Sequence, residues 1–251
     1  MNDNVERFSN RVSNYVKYRP DYPQEIIGYL EKTCGLTAAS VIADIGCGTG
    51  ISSRMFLANG NRVIGVEPNS AMREAASEYL SDFPNFEIVD GTSETTTLAD
   101  ASVDLVVAAQ AFHWFDPDKT RPELYRILKP GGHILLIWNE RQLDATPFLV
   151  DYEAFLLKYA RDYTKVRHEN IDDERLREFF QSDYRATTFQ NFQDFDFEGL
   201  KGRMLSSSYM PDESDEVFDE MIEELRILFA KHAESGKIKV LYDTNAYASK
   251  G

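Results

Sequence analysis

The 251 residues are 43% hydrophobic and 27% charged, a balance that excludes a disordered or fibrous chain. Forty-two acidic residues against twenty-seven basic ones leave a net charge of −15, so the overall field repels phosphate backbones and anionic bilayers, and no dense Lys/Arg cluster offsets it. Nucleic acid and membrane are therefore disfavoured as partners, and a small-molecule substrate is expected.

The chain opens Met1-Asn2-Asp3-Asn4, without the basic and apolar regions of a signal peptide, and no later apolar run is long enough to span a bilayer. Cys34 and Cys47 stand outside any Cys-x-x-Cys pattern, so neither a disulfide framework nor a metal site is indicated. A cytoplasmic protein in a reducing compartment is the expectation. The whole chain reads as one domain, with a helical cap over residues 1–35.

From 36 to 140, short β-branched runs at Val41–Ile45, Arg62–Val66, Phe86–Val89, Val103–Ala108 and His133–Trp138 alternate with helix-like stretches. Runs such as Val103-Asp104-Leu105-Val106-Val107-Ala108 suit strands buried on both faces, which predicts a Rossmann-like, doubly wound α/β fold with a mainly parallel sheet. Asn59-Gly60-Asn61 is placed to end the helix after the first strand, and Pro130-Gly131-Gly132 to turn into the fifth. In the stretch 141–185, Phe148, Tyr152, Phe155, Leu156 and Tyr159 mark one face of a long helix in a helical insert. The remainder, 186–251, predicts a helix from near Asp212 to His232, with Val217, Met221, Leu225 and Leu228 inward. An antiparallel closing strand through Ile238, Val240, Tyr242, Thr244 and Tyr247 follows, with Thr187–Phe192 as its partner.

Asp44-Ile45-Gly46-Cys47-Gly48-Thr49-Gly50 lies between the first strand and the helical pattern Ile51–Asn59. Glycines there let the backbone turn sharply and approach a ligand, while amides at the helix start suit an anion; a tight structural turn is the plainer reading. A Gly-x-Gly-x-x-Gly dinucleotide pattern fails in both registers, meeting Ile51 or Ser53 where glycine is required, which counts against a nicotinamide oxidoreductase. Glu67 closes the second strand where a carboxylate can accept both hydroxyls of a ribose, or simply face solvent.

These residues resemble the class I methyltransferases, and particularly the methyltransferase type 11 group, whose glycine motif carries an acidic residue two before its first glycine, the place of Asp44. The resemblance implies S-adenosylmethionine as cofactor, with Gly46, Gly48 and Gly50 against its methionine part and Asp44 orienting the loop and the cofactor's amino group. In Asp90-Gly91-Thr92-Ser93-Glu94, Thr92 stands where the group has an Asp near the adenine amino group, and Ser93 offers its amide. Ala108–Asp116, which contains Gln110-Ala111-Phe112-His113-Trp114-Phe115, is similar to a segment of trans-aconitate methyltransferase-like proteins beside the reacting methyl. It implies Gln110 as a cofactor contact and His113 as a base or, equally, a packing residue, with Trp114 and Phe115 as a wall against water. Tyr15–Pro23 is similar to a closing segment of the same group, implying cofactor roles for Tyr15 and Arg19, with a solvated Arg19 and packing roles for Tyr15 and Tyr18 as the plainer reading. Gly199–Pro211 and Gly236–Tyr247 also resemble closing segments, and a carboxylic acid acceptor held by Arg203, Arg19 or the Ser206–Ser208 hydroxyls is one implied substrate. A non-catalytic cofactor-binding regulator is the other class of function these residues allow.

Overall fold

Five apolar, β-branched runs set the sheet. In the computed structural model, which describes residues 17–161, 173–207 and 209–250, they form β1 (Val41–Ile45), β2 (Arg62–Val66), β3 (Phe86–Val89), β4 (Val103–Ala109) and β5 (Leu128–Arg141), paired in parallel. The first three match the expected bounds to the residue. Interleaved with them are α1 (Glu25–Cys34), α2 (Ile51–Ala58), α3 (Ser70–Tyr79) and α4 (Pro117–Ile127), and after them come α5 (Pro147–Tyr159), α6 (Asp173–Phe180), β6 (Tyr184–Phe195), α7 (Phe197–Leu205), α8 (Phe218–His232) and β7 (Ile238–Lys250). The strand order is β3-β2-β1-β4-β5-β7-β6. The chain leaves β1 toward one side of the sheet and returns at β4 on the other, so the loops at their carboxyl ends part at a topological switch point, where doubly wound sheets bind ligands.

The last strand runs against its neighbours. Side-chain bonds from Thr188 to Asn245, Gln190 to Asp243 and Lys239 to Asp194 climb β6 while descending β7. His133 with Ser249 and Asn139 with Thr244 do the same for β5. The expected antiparallel closing strand is present, longer at its far end than Tyr247, and β6 likewise extends beyond Thr187–Phe192.

Two expectations shift. Pro130-Gly131-Gly132 does not precede β5 but lies inside it: Val103 pairs with Leu128 and Leu105 with His133, and the extra residues loop out between those pairs, with Gly131 at φ 79°. The helix expected from Asp212 begins at Phe218, because the Asp212 and Asp215 side chains accept from nearby amides and close a turn of their own, an alternative that short acidic side chains offer the backbone. Val217 is consequently 42% exposed rather than inward, while Met221, Leu225 and Leu228 are buried as expected.

The described residues divide into two compact units. The larger, from 21–139, 173–189 and 244–250, buries both faces of its sheet: Ile27, Phe56, Val63 and Leu105 on one, Ile45, Val106, Leu124 and Phe179 on the other. The smaller, from 17–20, 140–161, 190–207 and 209–243, gathers Phe148, Phe155, Leu200, Met221 and Tyr242 into its own core. Among the described residues no helix is long and apolar enough to cross a membrane.

Candidate functional site

At the end of β1 the backbone takes three left-handed steps, at Gly46 (φ 67°), Gly48 (φ 56°) and Gly50 (φ 86°), which side chains adopt only with strain. The three differ in what they face. A Cβ at Gly46 would stand 2.8 Å from that of Ala111, and one at Gly50 2.5 Å from Leu80 Cδ1, whereas one at Gly48 would meet nothing within 4 Å. Gly46 and Gly50 therefore let the loop pack against its own protein, and Gly48 alone of the three presents bare backbone to open space.

Asp44 lies fully buried at the foot of this loop. Its Oδ2 accepts from the Ser52 and Ser53 hydroxyls at 2.6 and 2.7 Å, fastening β1 to the first turn of α2, and its Oδ1 has no partner among the described residues. Burial pushes its carboxyl up to about 6, with the two serines working against the shift. Thr49, 1% exposed, also carries a buried hydroxyl without a partner among the described residues. Sequence reasoning passed over Thr49, Ser52 and Ser53; the adjacent serines in the first helical turn, eight and nine residues after a buried acid, were the available signal.

Glu67 is 8% exposed, so the solvated reading does not hold. Its Oε2 accepts from the Gly48 amide at 3.0 Å and its Oε1 from the Asn69 amide at 2.9 Å. Burial raises its pKa, and those two amides oppose the rise. A carboxylate with about four acceptor positions keeps capacity beyond two amides. Arg73 steadies this end of β2, donating to the Glu67 carbonyl and to Asp90. After β3, Thr92 is exposed and its backbone is closed on Thr95, while Ser93 is buried and its hydroxyl accepts from Thr120. The Cys47 thiol is held well above its usual range by burial and by Asp44 and Glu67, so it stays protonated.

Gln110, just past β4, sits at φ 56°, a conformation that costs a non-glycine residue about 1–3 kcal/mol and persists only where surroundings enforce it. Its amide donates to Ile137 O and its Nε2 to Asn139 O, both at 2.9 Å. Its Oε1 is buried without a partner among the described residues. The next turn, Phe112–Trp114, ends at the Asp116 cap of α4 and carries a half-buried His113 with its ring 4.5 Å from that of Trp114. Trp114 is 46% exposed and is no part of a buried wall. The half-buried Phe115 ring stands 3.7 Å from where a Gly46 Cβ would be.

The remaining expected residues lie in the smaller unit or outside the description. Tyr15 and Ser208 fall outside the described residues. Arg19 donates to the Ser206 carbonyl at 3.1 Å, and the Tyr18 ring presses on Gly202, where any Cβ would collide with it. Arg203 is half-buried; its Nε donates to the Tyr242 hydroxyl at 3.2 Å and its Nη1 to Ser206 Oγ and Ser207 Oγ at 3.4 and 3.3 Å. Burial disfavours its charge, and Tyr242, Tyr209 and Tyr152 around it raise its pKa.

At the switch point, then, the carboxyl ends of β1, β2 and β4 bring one open glycine backbone, the Glu67 carboxylate, and three buried polar atoms, on Asp44, Thr49 and Gln110, without partners among the described residues. Hydroxyls and an amino group on a nucleoside-like molecule match these acceptors, so the set fits such a cofactor. A family model described as a methyltransferase domain matches residues 43–136, which run from β1 into β5. A Dictyostelium discoideum protein carrying a methyltransferase name is 30% identical over 188 residues, 72% of this chain and 69% of its own length. The chain belongs to the class I S-adenosylmethionine-dependent methyltransferases. An uncharacterized methyltransferase-like protein of Schizosaccharomyces pombe is 28% identical over 98% of this chain and 95% of its own length, while mycobacterial relatives match over 52% of theirs. A solved structure from Anaeromyxobacter dehalogenans, described as a type II methyltransferase, superposes with a TM-score of 0.65 at 21% identity, covering 93% of this chain and 98% of that one, a likeness of fold. The family's cofactor is S-adenosylmethionine, and the nicotinamide reading is set aside.

Proposed function

We propose that this methyltransferase esterifies a small organic acid, and that Arg203 holds the carboxylate of its acceptor. The observation that carries this is the company Arg203 keeps. Arg62, Arg126, Arg141 and Arg161 each pair with a carboxylate, yet Arg203, in a chain with 42 acidic residues, bonds among the described residues only to hydroxyls. A guanidinium withdrawn from water calls for an anion, and its planar fork matches a carboxylate. The hydroxyls of Tyr242, Ser206 and Ser207 fix the fork without neutralising it.

When bound, the cofactor supplies a methyl group on a sulfonium sulfur, already activated toward an oxygen lone pair. Glu67, Gly48, Thr49, Asp44 and Gln110 hold and orient it, with Glu67 accepting from ribose hydroxyls and the unpartnered atoms of Asp44, Thr49 and Gln110 taking its polar groups. Thr92 and Ser93 take the adenine end, Thr92 with an exposed hydroxyl in place of an acid. Gly46 and Gly50 act through the loop's packing. An acceptor carboxylate is ionised at neutral pH and has no proton to lose, so the chain's contribution is alignment, and His113 is a packing residue rather than a base. The protein acts as a cytoplasmic enzyme on a free small molecule.

The test is turnover of labelled methyl donor against panels of small carboxylic acids, amines and phenols. Methyl esters form only from acids on this reading, and Arg203→Met abolishes their formation while S-adenosylhomocysteine still binds. Methylated amines or phenols with inert acids would overturn the acceptor class. Cofactor binding with no turnover on any panel would favour the non-catalytic regulator.

A further inference from the structure

Within the larger unit a cleft of about 160 Å3 opens between the first turns of α4 and the length of α6, lined by Pro117, Asp118, Arg121, Arg175, Glu178 and Phe179. None of these residues takes part in the cofactor cradle. Phe179, 1% exposed, is its apolar floor and is itself held edge-on against Phe112 at 4.5 Å. The guanidinium of Arg175 stands 5.4 Å over that same Phe112 ring, so aromatic packing helps to fix this wall.

Arg121 is the unusual member. Its Nε is buried and has no hydrogen-bond partner among the described residues, and its guanidinium rests 5.5 Å over the Tyr125 ring. No carboxylate pairs with it among the described residues, although Asp118 one turn earlier and Glu178 opposite line the same cleft. The neighbouring Arg126, by contrast, engages both Glu123 and Asp100. Cation and carboxylates thus share a recess without neutralising one another, and a buried guanidinium nitrogen with no acceptor is a group that a ligand would satisfy.

The sign pattern narrows the ligand. A simple anion would meet the rim carboxylates of Asp118 and Glu178, and a simple cation would meet Arg121 and Arg175; each single-charge species gains one contact and suffers the opposite one. We propose that the cleft binds a small amphoteric molecule, an amino acid in chemical class, with its carboxylate on Arg121, its ammonium on Asp118 and Glu178, and its side chain on Phe179. This site is separate from the cofactor cradle and does not depend on the acceptor assigned above.

The test is calorimetric titration of the full chain with glycine, L-leucine and L-phenylalanine, with acetate and methylammonium as single-charge controls. S-adenosylhomocysteine is kept saturating throughout, so that its own site is closed to the probes. At least one amino acid binds, about tenfold or more tighter than either control, and an apolar side chain improves on glycine. Arg121→Gln and Glu178→Gln each weaken that binding about tenfold or more with unchanged circular dichroism. Acetate binding as well as the amino acids, no amino acid binding at all, or binding indifferent to both substitutions would overturn the proposal.

Discussion

The amide of Gly48 donates to Oε2 of Glu67 at 3.0 Å, so the loop after β1 and the end of β2 are held together by this carboxylate. With Oε1 taken by the Asn69 amide, both oxygens serve as acceptors. Glu67→Gln sets an NH2 group against one of the two amides. The expected result is a loss of about 1–3 kcal/mol in denaturant unfolding of the ligand-free protein, the cost of leaving a buried donor unmatched. An unchanged midpoint would mean that the carboxylate does not organise the loop.

The glycines separate by what they face. Gly50→Ala brings left-handed strain together with a collision against Leu80, so about 2–4 kcal/mol of stability is lost and the melting temperature falls accordingly. Gly48→Ala carries only the strain, about 1–2 kcal/mol, but sets a methyl on the one open face of the loop. Its signature is lost S-adenosylhomocysteine binding in a protein that still melts cooperatively.

Asp44 predicts a pH dependence with a definite sign. Its folded pKa, about 6, lies above the ordinary 3.8, so its proton is bound more tightly in the folded state. The associated stability is full below about pH 4 and is lost as the pH rises through 6, by about 3 kcal/mol in all. Unfolding curves for the wild type and Asp44→Asn, compared from pH 4 to 7, should diverge across that window, with the wild type losing stability as the pH rises. Parallel curves would place the titration elsewhere.

Arg203 and His113 predict opposite outcomes. With an acid acceptor, Arg203→Met lowers turnover about a hundredfold or more, the scale of a lost charge-assisted pair, whereas His113→Ala changes it less than about tenfold and leaves the pH profile flat above 6. A His113→Ala variant that loses turnover and a pH limb near the ordinary histidine range would restore the base.

The sheet was legible because its signal is local: Val41–Ile45, Arg62–Val66 and Phe86–Val89 are apolar runs bounded by turn residues, and periodicity alone finds them. The glycine loop was equally legible, but not the division of labour inside it, since Ala111 and Leu80 reach Gly46 and Gly50 from distant parts of the chain. Glu67 could be placed at a strand end, while its burial and its two amide partners depend on the fold. Trp114 misled because aromatic residues next to a site suggest a wall, and the short turn at Phe112–Trp114 instead directs Phe112 into the core and Trp114 outward. The acidic run at Asp212–Glu216 resembled a helix start, and only the turn closed by Asp212 and Asp215 shows why it is not one.

The most direct measurement is calorimetric titration of the purified chain with S-adenosylhomocysteine, with NAD as the control and Glu67→Ala as the variant. Saturable binding of S-adenosylhomocysteine, none of NAD, and a loss of about tenfold or more in Glu67→Ala are the results expected if the carboxylate holds the ribose. A folded protein that fails to bind S-adenosylhomocysteine, or one that binds it equally well without the Glu67 carboxylate, would contradict the site assembled around Gly48 and Glu67.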